Sequence, residues 1–403
     1  MADDPSSAGR DPFEVLLAFL KLGVSAFGGP IAHLGYFREE FVRRRRWLDE
    51  ATYAELVALC QFLPGPASSQ VGFAIGLERA GPLGALAAWT GFTTPSALLM
   101  IAFAYGAALM SGRLAQGAIH GLKLVAVAVV AQAVLGMART LTPDARRAAI
   151  ALGAIVVITF AWPAAAQVLA IGLGSLAGLL VCREGAETPR SAHVFRVSRG
   201  AGLVALAAFL GLLVGGPVLV ALTQNGEIAR FDAFYRSGAL VFGGGHVVLP
   251  LLKQAVVDPG WISQDRFLAG YGAAQALPGP LFTFGAYLGA AMPTPPNGVA
   301  GGLFGLVAIF LPGLLALVAA LPFWGVLRTR PSAQAAMRGA NAAVVGILGA
   351  ALYSPLWTST VFSPADFATA LAGFVLLTAF RAPPIVVVAL GVATGLARGL
   401  APS

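Results

Sequence analysis

The string "QFLPGPASSQVG" at residues 61–72 sets a proline–glycine–proline break in apolar sequence and follows it at once with hydroxyl and amide groups. Pro64 and Pro66 lack a backbone N–H and their rings clash with the preceding turn, so no regular helix runs through them. A helix that restarts beyond such a break has unpaired N–H groups and roughly half a positive charge at its new N-terminus. That combination suits an anion. Gly65 allows the turn, and Ser68, Ser69 and Gln70 offer short donors matched to oxyanion oxygens, although N-capping alone is the plainer use of the serines. The string "QALPGPLFTFGA" at 275–286 repeats the break as Pro278–Gly279–Pro280, with Thr283 in the new first turn. Gln61 and Gln275 hold the same place in both strings, three residues before the first proline.

A second pair of motifs precedes the first. "FGGPIAHLGYF" (27–37) contains Gly28, Gly29 and His33, and "FGGGHVVLPLL" (242–252) contains Gly243, Gly244 and His246. Lys21 lies seven residues before Gly28, and Arg236 seven before Gly243. Charge inside hydrocarbon is costly unless paired or solvated. A cation at one matched place in both motifs therefore suggests countercharge for an anion, with snorkelling to the interface as the alternative. Lys123, inside an apolar run, is a further candidate, and its counterpart is Asn341. Histidine titrates near neutral pH when unperturbed, yet a lone membrane histidine such as His33, His120 or His246 also serves as a structural hydrogen-bonding group. Arg43 to Arg46 read as a topology signal that also touches anionic lipid.

Several chemistries lack their residues. Segments 83–138, 148–181 and 200–222 contain no acidic residue. A buried proton relay would have to draw on Glu14, Asp49, Glu50, Glu55 and Asp232 near span ends. No nucleotide-binding loop, no metal spacing among the histidines and no serine–histidine pair for hydrolysis is present. The expectation is a protein that is not an enzyme and takes no metal or cofactor.

The chain that carries these motifs has 403 residues, 58% of them hydrophobic and 11% charged, where a soluble protein has roughly 25% charged. Apolar runs recur at 82–110, 118–137, 148–181, 200–223, 298–327, 340–353 and 367–400, and all but 340–353 reach the scale of about 20 residues that spans a bilayer. The longest two contain central prolines, Pro163 and Pro383–Pro384, as a hairpin of two short helices would. The net charge of +8 sits between the runs, where the positive-inside rule puts it, so nucleic acid is not an expected partner. Cys60 and Cys182 read as small apolar residues without redox or metal roles. The N-terminal string lacks the features of a secretory signal.

The chain is written twice. The paired motifs above recur at offsets of 214–215, Trp47 matches Trp261, "TTPSALL" (93–99) matches "FLPGLLA" (310–316), and "AIHGLK" (118–123) matches "AMRGAN" (336–341). Two homologous repeats follow, 1–182 and 231–403, joined by 183–230, a loop plus one leftover helix. One extra crossing turns the second repeat upside down, and the arginines agree. Loop 38–51 holds Arg38 and Arg43 to Arg46, whereas its counterpart 252–266 has Lys253 and Arg266 offset by acids. Loop 139–147 holds three arginines and its counterpart 354–365 none. The bias reverses for 111–117 against 328–338, as inversion demands. The expected fold is all-α and polytopic, with two inverted repeats, broken or re-entrant helices and roughly 10–13 membrane segments. With the N-terminus and loop 38–51 both cytoplasmic, 12–37 and 52–80 would enter and return; full crossing with kinks is the competing arrangement.

The strings "KLGVSAFGGPIAHLGYFREEFV", "RRRRWLDEATYAELVALCQFLPGPASSQVG" and, in the second half, "FGGGHVVLPLL" with "ALPGP" resemble the chromate ion transporter family, specifically over 19–80 and more weakly over 231–290. The resemblance implies chromate export from the cytoplasm, powered by the proton-motive force and conferring resistance, by a multi-pass protein of the bacterial inner membrane with oppositely oriented halves. Gly245 departs from the pattern where the first half has Pro30, which suggests unequal half-sites. The expected partners are chromate or a sulfate-like oxyanion and the lipid bilayer, with a second copy of the chain as a candidate. Sulfate transport is the alternative within this class, an anion channel the alternative class, and a membrane enzyme a distant third.

Overall fold

The computed structural model describes residues 11–109, 112–161, 163–183, 195, 197–242, 245–327 and 329–400, which are helical and contain no strand. Gly243 and Gly244, expected at the site, lie outside the described residues, as do Trp162, Arg328 and most of loop 183–199.

Helix α1 (Pro12–Ser25) opens on the Asp11 carboxylate, which accepts the Phe13 N–H at 2.8 Å. Beyond Ala26, Gly28 takes the left-handed φ of +101° and starts α2 (Gly29–Phe37), which widens into a π-helix over Arg38–Arg44. The chain doubles back here. Phe19 stacks on Phe41 with ring centroids 4.6 Å apart, and Glu14 at the start of α1 meets Arg45 at 3.2 Å. The 14 residues of α1 rise only about 21 Å, short of the ~30 Å hydrocarbon layer. Helix α3 (Glu50–Phe62), capped by Asp49, then runs to the proline break, and α4 (Ala67–Leu109) resumes beyond it. The first limb of α4 returns to the side it came from, since Arg79 reaches Glu14 at 3.2 Å and lies over the Trp47 ring. Both 12–37 and 52–80 thus double back as hairpins, the path that a re-entrant segment takes. Non-helical geometry at Ala80 and Gly81 separates that limb from 82–109, which crosses fully, as does α5 (Arg113–Leu141). Helices α6 (Ala145–Phe160) and α7 (Pro163–Val181) complete the repeat.

Helix α8 (Arg199–Thr223) is apolar all round and buries only Gly202 and Ala205, as a peripheral linker between repeats would. The second repeat then reproduces the first. It comprises α9 (Gly226–Ala239), α10 (Val248–Leu252) running into a π-helix over Lys253–Val257, and α11 (Gln264–Ala274). After the second break come α12 (Phe284–Ala291), α13 (Gly298–Ala320) and the short α14 (Trp324–Leu327). Helices α15 (Pro331–Ala351), α16 (Pro364–Thr378) and α17 (Pro384–Leu400) end the chain. Even the π-helix falls at the matched place. Helices α11 and α12 again run back to back, with Phe267 and Phe284 centroids 5.1 Å apart and the Tyr287 hydroxyl donating to the Arg266 carbonyl at 2.9 Å. Among the described residues, α4, α5, α8, α13 and α15 are long and apolar enough to cross a membrane.

The repeats are intertwined. Helix α7 of the first packs along α15 of the second, and α17 of the second along α5 of the first. Both contacts run antiparallel on small residues: Gly174 and Gly178 face Gly339, while Gly117 faces Gly395 and Gly121 faces Gly391. Lipid gives apolar side chains no reason to leave it, so membrane helices gain by such close backbone approach. A Cβ on Gly121 would run into the Gly391 carbonyl oxygen, whereas one on Gly136 of the same helix meets nothing within 4 Å. Gly121→Val is therefore expected to cost about 1–3 kcal/mol and to lower the melting temperature of the detergent-purified protein, with Gly136→Val close to wild type.

Candidate functional site

The four broken hairpins meet tip to tip across the two repeats. The N–H of Gly65, in the first proline break, donates to the Val241 carbonyl of the second repeat at 2.7 Å. The N–H of Gly279, in the second break, donates to the Ala26 carbonyl of the first at 3.0 Å. Ala26 and Val241 occupy matched places, so one bond is the symmetry mate of the other. Both glycines hold positive φ, +119° and +89°. Both are also closed in by the opposite repeat: a Cβ on Gly65 would stand 2.8 Å from Gly313 Cα, and one on Gly279 2.8 Å from Ser96 Oγ. Gly313 and Ser96 are themselves matched. Gly245 faces its own counterpart, Pro30, whose Cγ lies 3.6 Å from a Cβ built on the glycine. Matched residues in contact mark the approximate twofold axis. The departure at Gly245 thus lies on that axis, against the proline it replaces.

The groups in the first turn of the resumed α4 are not equivalent. His33 Nε2 lies 3.2 Å from the Ala26 carbonyl and Nδ1 3.3 Å from Ser68 Oγ. A carbonyl only accepts, so Nε2 bears the hydrogen and Ser68 donates to Nδ1. The Gln70 amide nitrogen donates to Pro64 O at 2.9 Å and to Gly313 O at 2.8 Å, tying its own break to α13. Ser68 and Gln70 therefore brace the tips. Ser69 is 3% exposed and its hydroxyl has no partner. Its counterpart, Thr283, donates to the Pro280 carbonyl at 2.8 Å. One matched hydroxyl is closed and the other open.

Sequence reasoning passed over two further unfilled donors, Trp89 Nε1 and Thr93 Oγ1, one turn apart on α4. The Trp89 ring packs on Phe310, which packs on Phe282 beside the second break, and Phe92 and Ser96 flank Thr93 and press on Gly279. The one signal available was the polar "TTPS" inside an apolar run. Gln275 Nε2, three residues before the second break, is a fourth donor without a partner. Buried polar groups are ordinarily hydrogen-bonded, so four open donors in the layer that holds the tips stand out.

The expected cations stand away from the tips. Lys21 is seven residues, about 10 Å of helix, before Gly28; it is 3.8 Å from Glu40, with its side chain 55% exposed. Arg236, at the matched place, lies 4.0 Å from Asp232 and lines a cavity of about 570 Å³ with Gln167, Ser237 and Gln254. Lys123 is buried and pairs with Asp265 of the second repeat at 2.7 Å. Asn341 sits on α15, which packs beside the 245–247 turn, and its side-chain oxygen has no partner. His246 Nδ1 is 2.8 Å from the Tyr271 hydroxyl. Gln61 is exposed and Gln275 half-buried, so these matched glutamines occupy different surroundings. Among the described residues no cluster of histidine, cysteine and carboxylate groups could hold a metal ion.

Comparison with known proteins follows the same twofold division. The chromate transporter family pattern matches residues 13–179 and again 228–396. A probable chromate transport protein of Synechococcus elongatus is 29% identical over 344 residues, 83% of this chain and 82% of that one. A chromate transport protein of Pseudomonas aeruginosa is 29% identical over 350 residues, 84% of this chain and 79% of the relative. One from Cupriavidus metallidurans is 26% identical over 349 residues, covering 84% and 81%. No solved structure matches. With both halves matched over nearly their whole length, the chain belongs to the chromate transporter family.

Proposed function

We propose that this protein is a secondary transporter that carries tetrahedral oxyanion dianions, chromate first among them, out of the cytoplasm and so confers chromate resistance. The observation that carries this reading is the set of open buried donors, Ser69, Trp89, Thr93 and Gln275 Nε2, in the layer where the chain breaks and the half-helices resume. A fully ionised oxyanion offers acceptors only, and these groups lack acceptors. The half-helix N-termini add positive potential from two opposed directions. Gly28, Gly29, Gly65 and Gly279 shape the tips, while His33, Ser68, Gln70 and Thr283 hold them rigid. Lys21 and Arg236 then serve as collecting charges at opposite mouths, each beside its own acid.

Outward movement needs no dedicated proton relay. One charge crossing 100 mV is worth about 2.3 kcal/mol, so a dianion leaving a negative interior gains about twice that. In everted vesicles, chromate uptake is expected to stop when valinomycin and potassium collapse the potential and to survive nigericin, which removes only the pH gradient. The reverse pattern overturns potential-driven export.

Removing one donor to a charged ligand costs about 1.5–3 kcal/mol. Ser69→Ala is thus expected to raise the KM for chromate at least about tenfold, while Thr283→Val, whose hydroxyl is already satisfied, leaves it little changed. Sulfate has the same shape and charge, and the same two variants measured with sulfate tell which anion the wild-type site prefers. The repeats are inverted in the bilayer with loop 38–51 cytoplasmic. Cysteines placed at the exposed positions Arg43 and Asp258 are accordingly expected to label from opposite faces of intact cells, Asp258→Cys from outside.

A further inference from the structure

A basic pocket and an apolar groove adjoin on the outer surface of the α6–α7 hairpin. The pocket, about 400 Å³, is lined by Asp144, Arg146, Arg147, Val181, Cys182 and Arg338. Arg338 donates to the Cys182 carbonyl through Nε and Nη2 at 3.0 and 2.7 Å, and Arg146 donates to the Val181 carbonyl at 3.3 Å. These contacts bring both guanidiniums to the C-terminus of α7. Arg147 pairs with Asp144 at 2.6 Å. Three cations and one anion leave a net charge of two positives at the pocket.

The groove, about 420 Å³, shares Arg146 and Val181 with the pocket and continues along Ile150, Gly153, Val157 and Leu173 between α6 and α7. From Arg146 to Val157 it descends eleven residues, roughly 16 Å of helix, which matches one leaflet of a ~30 Å hydrocarbon core. Its rims are exposed and apolar: Leu152 and Val156 on one side, Leu173, Leu176 and Leu180 on the other. The pocket lies on the arginine-rich face of the molecule, because α4 beyond Gly81 and then α5 cross out and back from the end that holds Arg79 and Trp47. By the positive-inside rule that face is cytoplasmic.

We propose that this pocket and groove bind one anionic phospholipid of the cytoplasmic leaflet, with the phosphate against Arg146, Arg147 and Arg338 and one acyl chain between α6 and α7. The inverted counterpart uses the matched positions differently. Aligning the N-caps Asp144 and Ser363 sets Arg147 opposite Asp366, and Arg338 is matched by His120. There Asp366 is closed internally by His120 at 2.7 Å, by Ser363 at 2.9 Å and by Arg398. One copy is a sealed network within the protein; the other presents cations above an open apolar channel on the membrane face that carries anionic headgroups.

The test is native mass spectrometry of the purified full chain, titrated with phosphatidylglycerol or phosphatidylcholine in detergent. One phosphatidylglycerol is expected to remain bound at collision energies that strip phosphatidylcholine. Arg147→Gln, which leaves the carbonyl contacts of Arg146 and Arg338 in place, should weaken it about fivefold. A Cβ on Gly153 meets nothing within 4 Å, so Gly153→Leu should fill the groove and abolish the retained lipid without lowering the melting temperature of the lipid-free protein. Equal retention of the two lipids, or a retained lipid in both variants, overturns the site. If inorganic phosphate alone raises the melting temperature as far as phosphatidylglycerol does, the arginines form a simple anion pocket and the lipid assignment fails.

Discussion

The reciprocal pair of backbone hydrogen bonds, Gly65 N–H to Val241 and Gly279 N–H to Ala26, is the constraint from which the rest follows. A helix broken at membrane depth exposes N–H and C=O groups that lipid cannot satisfy, and each such group costs several kcal/mol. Here each repeat satisfies the broken ends of the other. Neither half can hold its own tips in hydrocarbon, so the two must fold as one body. The exchanged terminal helices, α7 on α15 and α17 on α5, then clamp the pairing from outside. The same bonds require glycine at both breaks, because the chain turns with positive φ while the opposite repeat closes to van der Waals distance.

Symmetry of the backbone does not extend to the side chains. Position by position across the two breaks, Ser68 is matched by Phe282, Ser69 by Thr283 and Gln70 by Phe284. The second copy fills its first turn with aromatic rings and a hydroxyl bonded to its own turn. The first copy braces itself with His33 and Gln70 and leaves Ser69 open. On the axis itself the matched residues also differ, with Pro30 in the first copy facing Gly245 in the second. An inverted pair of hairpins thus builds a frame twice and furnishes it once.

Much of this was legible in the sequence because breaks and inversion leave marks that single residues carry. Proline–glycine–proline stops a helix wherever it occurs, and the arginine bias of matched loops points to opposite orientations of the two repeats. The doubling back of 12–37 and 52–80 was one of two paths those facts allowed. What the sequence could not give was partnership. Nothing in an apolar string says that α7 lies on the other repeat, or that the acid paired with Lys123 is Asp265, brought in by α11 of the opposite repeat. Donor occupancy was equally hidden: Ser68, Ser69 and Gln70 are adjacent and chemically alike, yet only the fold tells which of them already has an acceptor. Trp89 and Thr93 went unread because a crossing helix disguises polar atoms among its apolar neighbours.

The charge balance at the tips bears on how tightly an oxyanion can be held. Each helix terminus is worth about half a charge, so two half-helix N-termini supply roughly one positive charge against the two negatives of a chromate or sulfate ion. In the proposed site, neutral donors such as Ser69 and Trp89 would solvate the remainder without cancelling it. The matched cations Lys21 and Arg236 are each accompanied by an acid, Glu40 and Asp232. An anion bound under those conditions keeps a net negative charge. It therefore remains subject to the membrane field while bound and avoids the depth of binding that a full countercharge would produce. The export proposed above, into a more positive compartment, would be served by that shortfall. Moving either lysine or arginine up to the tips would strengthen binding and, by the same arithmetic, remove the charge on which the field acts.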